Sequence, residues 1–160
     1  MWLDGFSEKL SQFVLAHNHY WGLAAYIDLY EIKHVLELGT CTGSSAVIMA
    51  RAGAVVDTYD LADIWELDCL PENVNRHLVD DPSYIHSLDL DPYDMIFVDV
   101  DHTGKEEQKI HEKFVAEYHG IVFYDDIWLY EEMISFWKGI EQEKQTCLWN
   151  TTSGFGAVRY

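Results

Sequence analysis

Short continuous apolar runs alternate along this chain with stretches in which apolar residues recur every three or four positions. That is the pattern of buried strands interleaved with amphipathic helices, and hence of an α/β sheet covered on both faces. Val35 to Leu38, Ala54 to Tyr59, Tyr93 to Asp99 and Gly120 to Tyr124 read as strands. Ser44 to Ala50 and Lys105 to Tyr118 read as helices, the latter with Ile110, Phe114, Val115 and Tyr118 inward. Leu129, Met133, Phe136, Trp137 and Ile140 step by three and four and mark a last helix. Upstream, Trp2, Phe6, Leu10, Phe13 and Val14 predict an N-terminal amphipathic helix, and Tyr20 to Tyr30 a second, aromatic one. His17 and His19, between them, could contact substrate, but turn or surface histidines are the simpler reading. The text from Asp60 to Asp94 is less regular: a short helix over Glu72 to Leu78, a turn at Asp80-Asp81-Pro82-Ser83 and a strand over Tyr84 to Leu88. Thr146 to Thr152 and Gly156 to Tyr160 read as two closing strands joined at Ser153-Gly154-Phe155. No repeat, linker or low-complexity segment interrupts residues 1–160, which predict one doubly wound, mostly parallel domain.

The most informative stretch is His34 to Asp60, strand, glycine turn, helix, strand. Gly39-Thr40-Cys41-Thr42-Gly43 lets the backbone approach a ligand, and the helix opening at Ser44 brings unpaired N–H groups to the same place. Asp60, ending the next strand, can accept both hydroxyls of a ribose. The dinucleotide pattern G-x-G-x-x-G needs glycine where Cys41 stands, and G-x-x-x-x-G-K-[ST] is absent, so neither NAD nor ATP is favoured.

Glu37, two residues before Gly39, with Gly43 four after it and serines opening the helix, resembles motif I of class I S-adenosylmethionine-dependent methyltransferases, small-molecule O-methyltransferase branch. The resemblance implies a single Rossmann-like sheet, mostly parallel with antiparallel closing strands, and covers nearly the whole chain. It implies that Glu37 helps hold the methionine portion of S-adenosyl-L-methionine and that Asp60 holds the ribose. Gly39, Thr40, Cys41, Thr42, Gly43 and Ser44 would line the cofactor, and Leu61 and Ser87 would flank the adenine. The competing reading is a plain strand, turn and helix of some other doubly wound protein.

Charge sharpens the choice of ligand. With 28 acidic against 10 basic side chains, the net charge is -18, which repels nucleic acid and suits a cationic cofactor or a divalent metal. For a single carboxylate elsewhere, solubility is the simpler role. The 7 Phe, 10 Tyr and 6 Trp can fill a core and still line a pocket. Cys41, Cys69 and Cys147 have no metal-ligand spacing and form an odd set, in keeping with a reducing cytoplasm. No apolar run approaches a membrane span, and no leader pattern follows Met1, so no membrane association is expected.

Acids stand at the ends of the strongest strands: Glu37, then Asp99-Val100-Asp101-His102, then Asp125-Asp126. Ligands of open α/β sheets bind at those ends. If the strands are neighbours, as the resemblance implies, the carboxylates converge, and such oxygen donors suit Mg²⁺ or Ca²⁺. Similarity to the metal-dependent O-methyltransferases implies Asp99, Asp125 and Asp126 as metal ligands, with Asp99 also beside the cofactor. His102 is then the candidate base, with Lys105 a second candidate or a countercharge. Asp126 could instead cap the following helix, and Asp101 could make a local turn. The Asn/Asp-Pro-Pro-Tyr/Phe segment of amino-group methyltransferases is absent after the fourth strand, which favours an oxygen acceptor. The resulting expectation is methyl transfer to a hydroxyl of a small-molecule acceptor such as a sugar, natural product or phenol, with a divalent cation as candidate second cofactor. The alternative is a cofactor-binding module or partner subunit without catalysis. A lid must come from the N-terminal helices, from Asp63 to Asn75, or from the second subunit of a homodimer.

Overall fold

The computed structural model describes residues 19–68, 70–147 and 152–160. The expected helix over Trp2 to Val14, together with His17 and Cys69, lies outside them, as do residues 148–151 of the expected penultimate strand. In chain order the elements are α1 (His19–Tyr30), β1 (His34–Leu38), α2 (Ser44–Arg51), β2 (Val55–Asp60), β3 (Val74–Leu78), a 3₁₀ helix (Pro82–Ser87), β4 (Met95–Val98), α3 (Lys105–Glu117), β5 (Ile121–Asp125), α4 (Glu131–Gly139), β6 (Lys144–Cys147) and β7 (Phe155–Arg159). Among the described residues seven strands form one sheet in the order β3-β2-β1-β4-β5-β7-β6. β1 through β5 pair in parallel, β7 runs antiparallel to β5, and β6 antiparallel to β7. This is the Rossmann-like sheet of the methyltransferase fold.

The alternation of side chains divides the core. Val35, Val56, Phe97 and Phe123 point to the face covered by α1 and α2, where they meet Leu23, Ile27, Val47 and Ile48. Leu36, Ile96, Val98, Val122 and Tyr124 point to the opposite face and meet Ile110 and Phe114 of α3 and Met133, Phe136 and Trp137 of α4. Because helices cover both faces, the central strands read as unbroken apolar runs. Glu37 and Thr58 share the α1/α2 face and are wholly buried there.

Two sequence expectations fail between β2 and β4. Val74–Leu78 is strand β3 rather than a helix, pairing residue for residue with Val56 to Asp60. Its burial is shallow and uneven, so the apolar pattern is too short to distinguish the two periods. Tyr84 to Leu88 belongs to no strand. Asp81 caps a 3₁₀ helix there, its side chain accepting from Ser83 N–H at 2.7 Å, with Pro82 preset for the first turn. Val115, expected inward, is half exposed on α3. His19 is no surface histidine: it opens α1 and is 4% exposed.

Candidate functional site

The chain's connections run from β1 outward through β2 to β3, then return to place β4 on the other side of β1. At that reversal the loops after β1 and β4 separate, leaving a crevice at the carboxyl ends of the strands. A cavity of about 800 Å³ opens there, lined by the β1 loop, the ends of β2, β4 and β5, the 3₁₀ helix and the start of α1.

The glycine loop is held from below and from both sides. Gly39 (φ 101°) passes so close to β4 that a Cβ there would lie 1.8 Å from the Asp99 carbonyl oxygen. Gly43 (φ 89°) leaves no room either, since a Cβ would meet the Trp65 ring at 2.3 Å. Both positions favour glycine for their left-handed backbone, and Gly39 also for space, since its neighbour is backbone where that of Gly43 is a side chain. Cys41 is left-handed without that freedom, at φ 45°, and its N–H donates to Asp60 Oδ2 at 2.7 Å. The Ala62 N–H donates to Asp60 Oδ1 at 2.9 Å, so the loop and the chain leaving β2 orient both oxygens of one carboxylate.

Glu37 lies beneath the loop and does not line the cavity. Its Oε2 accepts from the Thr58 hydroxyl, which in turn contacts Thr40 Oγ1 at 2.6 Å. Burial pushes the Glu37 carboxyl up to about 7 from an ordinary 4.5, against the opposing pull of hydrogen bonds from Ser45 and Thr58. A raised carboxyl pKa means that the folded chain keeps a proton the unfolded chain has already lost. Glu37 therefore costs no stability below about pH 4.5, progressively more as pH rises to 7, and a constant amount, about 3 kcal/mol, above it. Glu37→Gln is expected to remove this component, so that the variant gains on the parent between pH 5 and pH 8 in urea unfolding. Parallel stability profiles for the two proteins would show that Glu37 ionises freely.

On the other side of the crevice stand the acids. Asp99 Oδ1 and Asp126 Oδ2 each lie 3.5 Å from His102 Nε2, and one donor atom from each of the three residues falls within 4.8 Å of the others. His102 (φ 59°) and Asp126 (φ 53°) are both left-handed. The His102 N–H is fixed by Glu107 Oε1 at 2.9 Å, from the first turn of α3. Burial, followed by the nearby charges of Asp125, Asp126, Glu37 and Asp60, holds the Asp99 carboxyl well above the usual range.

Asp125 stands apart from that trio. Its Oδ2 accepts from His19 Nε2 at 2.8 Å, with both side chains about 5% exposed, and its Oδ1 accepts from the Asp126 N–H at 2.9 Å. His19 carried no sequence signal for this role, because a partner 106 residues away leaves no mark on local pattern.

The cavity brings together Gly39, Thr40, Cys41, Thr42, Ser44, Asp60, Leu61, Asp99, His102, Asp125 and Asp126 of the residues the sequence singled out. Ser87 is not among the lining residues. It is exposed and its hydroxyl donates to the Tyr84 carbonyl at 2.7 Å, and Tyr84 and Ile85 face the cavity in its place. Lys105 is exposed at the start of α3, also away from the lining. Asp101 makes the local turn, accepting from Thr103 N–H at 3.3 Å. Six carboxylates, those of Asp60, Asp99, Asp101, Glu106, Asp125 and Asp126, face this space, and among the described lining residues no Lys or Arg does.

No protein-family model and no curated protein sequence matches this chain. Solved structures do. The O-methyltransferase TomG from Streptomyces achromogenes, involved in tomaymycin synthesis and solved with S-adenosylmethionine, superposes with a TM-score of 0.67 at 18% identity, covering 98% of this chain and 92% of its own. The O-methyltransferase from Bacillus cereus, solved with S-adenosylhomocysteine, gives 0.65 at 15% identity, over 99% and 94%. A methyltransferase from Podospora anserina, also bound to S-adenosylhomocysteine, gives 0.64 at 14% identity, over 97% of each chain.

Proposed function

We propose that this chain, whose fold is that of the class I S-adenosylmethionine-dependent O-methyltransferases, transfers a methyl group from S-adenosylmethionine to a hydroxyl of a small molecule. One observation carries the reading: the glycine loop with its oriented Asp60 opens onto the same cavity as Asp99, His102 and Asp126. A binding module would need only the first half of that arrangement.

S-adenosylmethionine, when bound, supplies a sulfonium methyl open to attack by an oxygen nucleophile. Asp60 would accept the ribose hydroxyls, and the loop from Gly39 to Ser44 would follow the cofactor's backbone side. Glu37 would act through Thr58 and Thr40, stiffening the loop from beneath. The residues present fit such a cofactor. It is cationic and carries no phosphate, which suits a wall of carboxylates, whereas pyrophosphate would be repelled. For the same reason the acceptor is neutral or cationic: a phenol or an uncharged sugar fits, and a phosphorylated one does not. The acceptor oxygen would lie against Asp99, His102 and Asp126, where its proton can be drawn off before attack. Those three residues also fit a divalent cation, which would lower the hydroxyl's pKa and orient it. Lys105, exposed and off the lining, has no part in this step.

Calorimetric titration with S-adenosylhomocysteine tests the cofactor half, with micromolar binding expected, about -8 kcal/mol. Methyl transfer from labelled S-adenosylmethionine to a panel of phenols and uncharged sugars tests the rest. Binding of NAD with no response to S-adenosylhomocysteine would overturn the reading.

A further inference from the structure

We infer that the cation held in this cavity is a transition-metal ion of the Zn²⁺ or Co²⁺ kind rather than Mg²⁺, bound by Asp99, His102 and Asp126, because His19 withholds Asp125 from it. The inference takes from the proposed function only that this cavity is the reaction site.

The donor set is the first ground. Mg²⁺ seeks an octahedron of oxygens and seldom accepts nitrogen, whereas imidazole suits Zn²⁺, Co²⁺ and their neighbours. The family resemblance implies three carboxylates, an all-oxygen set. In the structure the third corner is His102 Nε2, and Asp125 has turned to His19. Both Asp125 oxygens already accept hydrogen bonds, one from a buried imidazole and one from the backbone, and the donor atoms that fall within 4.8 Å of one another are those of Asp99, His102 and Asp126, without Asp125.

The spacing is the second. Zinc lies about 2.0 to 2.2 Å from nitrogen and carboxylate oxygen, so two ligands at a tetrahedral angle are roughly 3.4 Å apart. Around Mg²⁺, with bonds of about 2.1 Å at right angles, the separation is roughly 3.0 Å. His102 Nε2 is 3.5 Å from each carboxylate oxygen. Both of these separations are nearer the tetrahedral value than the octahedral one, and three protein ligands would leave one position for a substrate hydroxyl, as in a catalytic rather than a closed structural site.

The third ground is that the trio is held in place before any ion arrives. The Glu107 carboxylate fixes the His102 backbone, and the Asp125 carboxylate fixes that of Asp126. His102 and Asp126 both sit in left-handed backbone conformations.

The test titrates the whole chain with Co²⁺, following the visible d–d band, and with Zn²⁺ and Mg²⁺ by calorimetry. Expected are an intense four-coordinate cobalt band and Zn²⁺ affinity at least about 100-fold above that for Mg²⁺. His102→Ala, on a partly exposed loop, is expected to lose the band and about 100-fold in Zn²⁺ affinity while still binding S-adenosylhomocysteine. His19→Ala, which releases Asp125, is expected to raise Mg²⁺ affinity about tenfold. A preference for Mg²⁺ in the parent, or a cobalt spectrum unchanged in His102→Ala, would overturn the inference, as would the binding of no cation. Intact cobalt binding without S-adenosylhomocysteine binding would instead sink the methyl-transfer reading and leave the metal assignment standing.

Discussion

Gly39→Ala is expected to destabilise the chain by about 3 to 5 kcal/mol, lowering its melting temperature by roughly 10 °C, and to abolish binding of S-adenosylhomocysteine. The new methyl would sit 1.8 Å from the Asp99 carbonyl oxygen, and at φ 101° the alanine would be strained even in open space. The obstacle is backbone, not a side chain that can rotate away. Either β4 moves or the loop does, and both carry cavity residues. Thermal melts followed by circular dichroism check the first part, and calorimetry of the folded fraction checks the second. Melting within a degree of the parent would mean that loop and strand are farther apart than described.

The second large effect falls on binding rather than folding. Asp60→Ala is expected to weaken S-adenosylhomocysteine by about 3 to 4 kcal/mol, or some 100- to 1000-fold. Hydrogen bonds to a charged group contribute about 1.5 to 3 kcal/mol each, and two ribose hydroxyls would be lost together. The carboxylate is partly exposed, so global stability should change little beyond the two bonds it accepts from Cys41 and Ala62. Asp60→Asn keeps the shape and removes the charge, and it should fall between parent and alanine. Unchanged affinity in both variants would remove Asp60 from the cofactor site.

Much of this molecule can be read from its sequence, and the failures share a cause. The central strands announce themselves because helices cover both faces, so Val35 to Leu38 and Met95 to Val98 are continuous apolar runs with turn residues at their ends. β3 is an edge strand with a single fully buried residue, Val74, and without a buried face there is no period to detect. The 3₁₀ helix was visible only as its cap: Asp81 and Pro82 read as a turn, and the turn continued. The site divides in the same way. Cavity positions fixed by local geometry, Gly39 and the acid ending β2, stand out in the sequence pattern. Cavity positions fixed by contacts across the fold, such as His19, Tyr84 and Ile85, leave no such mark. The pairing of Asp125 with His19 joins the first described helix to the end of the fifth strand, and only folding brings the two together.

Of the four non-glycine residues with left-handed backbones among the described residues, Cys41, His102 and Asp126 line the cavity, and Glu31 lies elsewhere. Such conformations cost of order 1 kcal/mol or more apiece, and the surrounding fold must supply that energy. Among the described residues the backbone is thus least relaxed around the cavity, and glycine, which would ease each position, would also remove a thiol, an imidazole and a carboxylate from its wall. Under the proposed function, selection for thermal robustness and selection for turnover pull His102 and Asp126 in opposite directions, so gains in melting temperature should be sought among the helices, away from the rim.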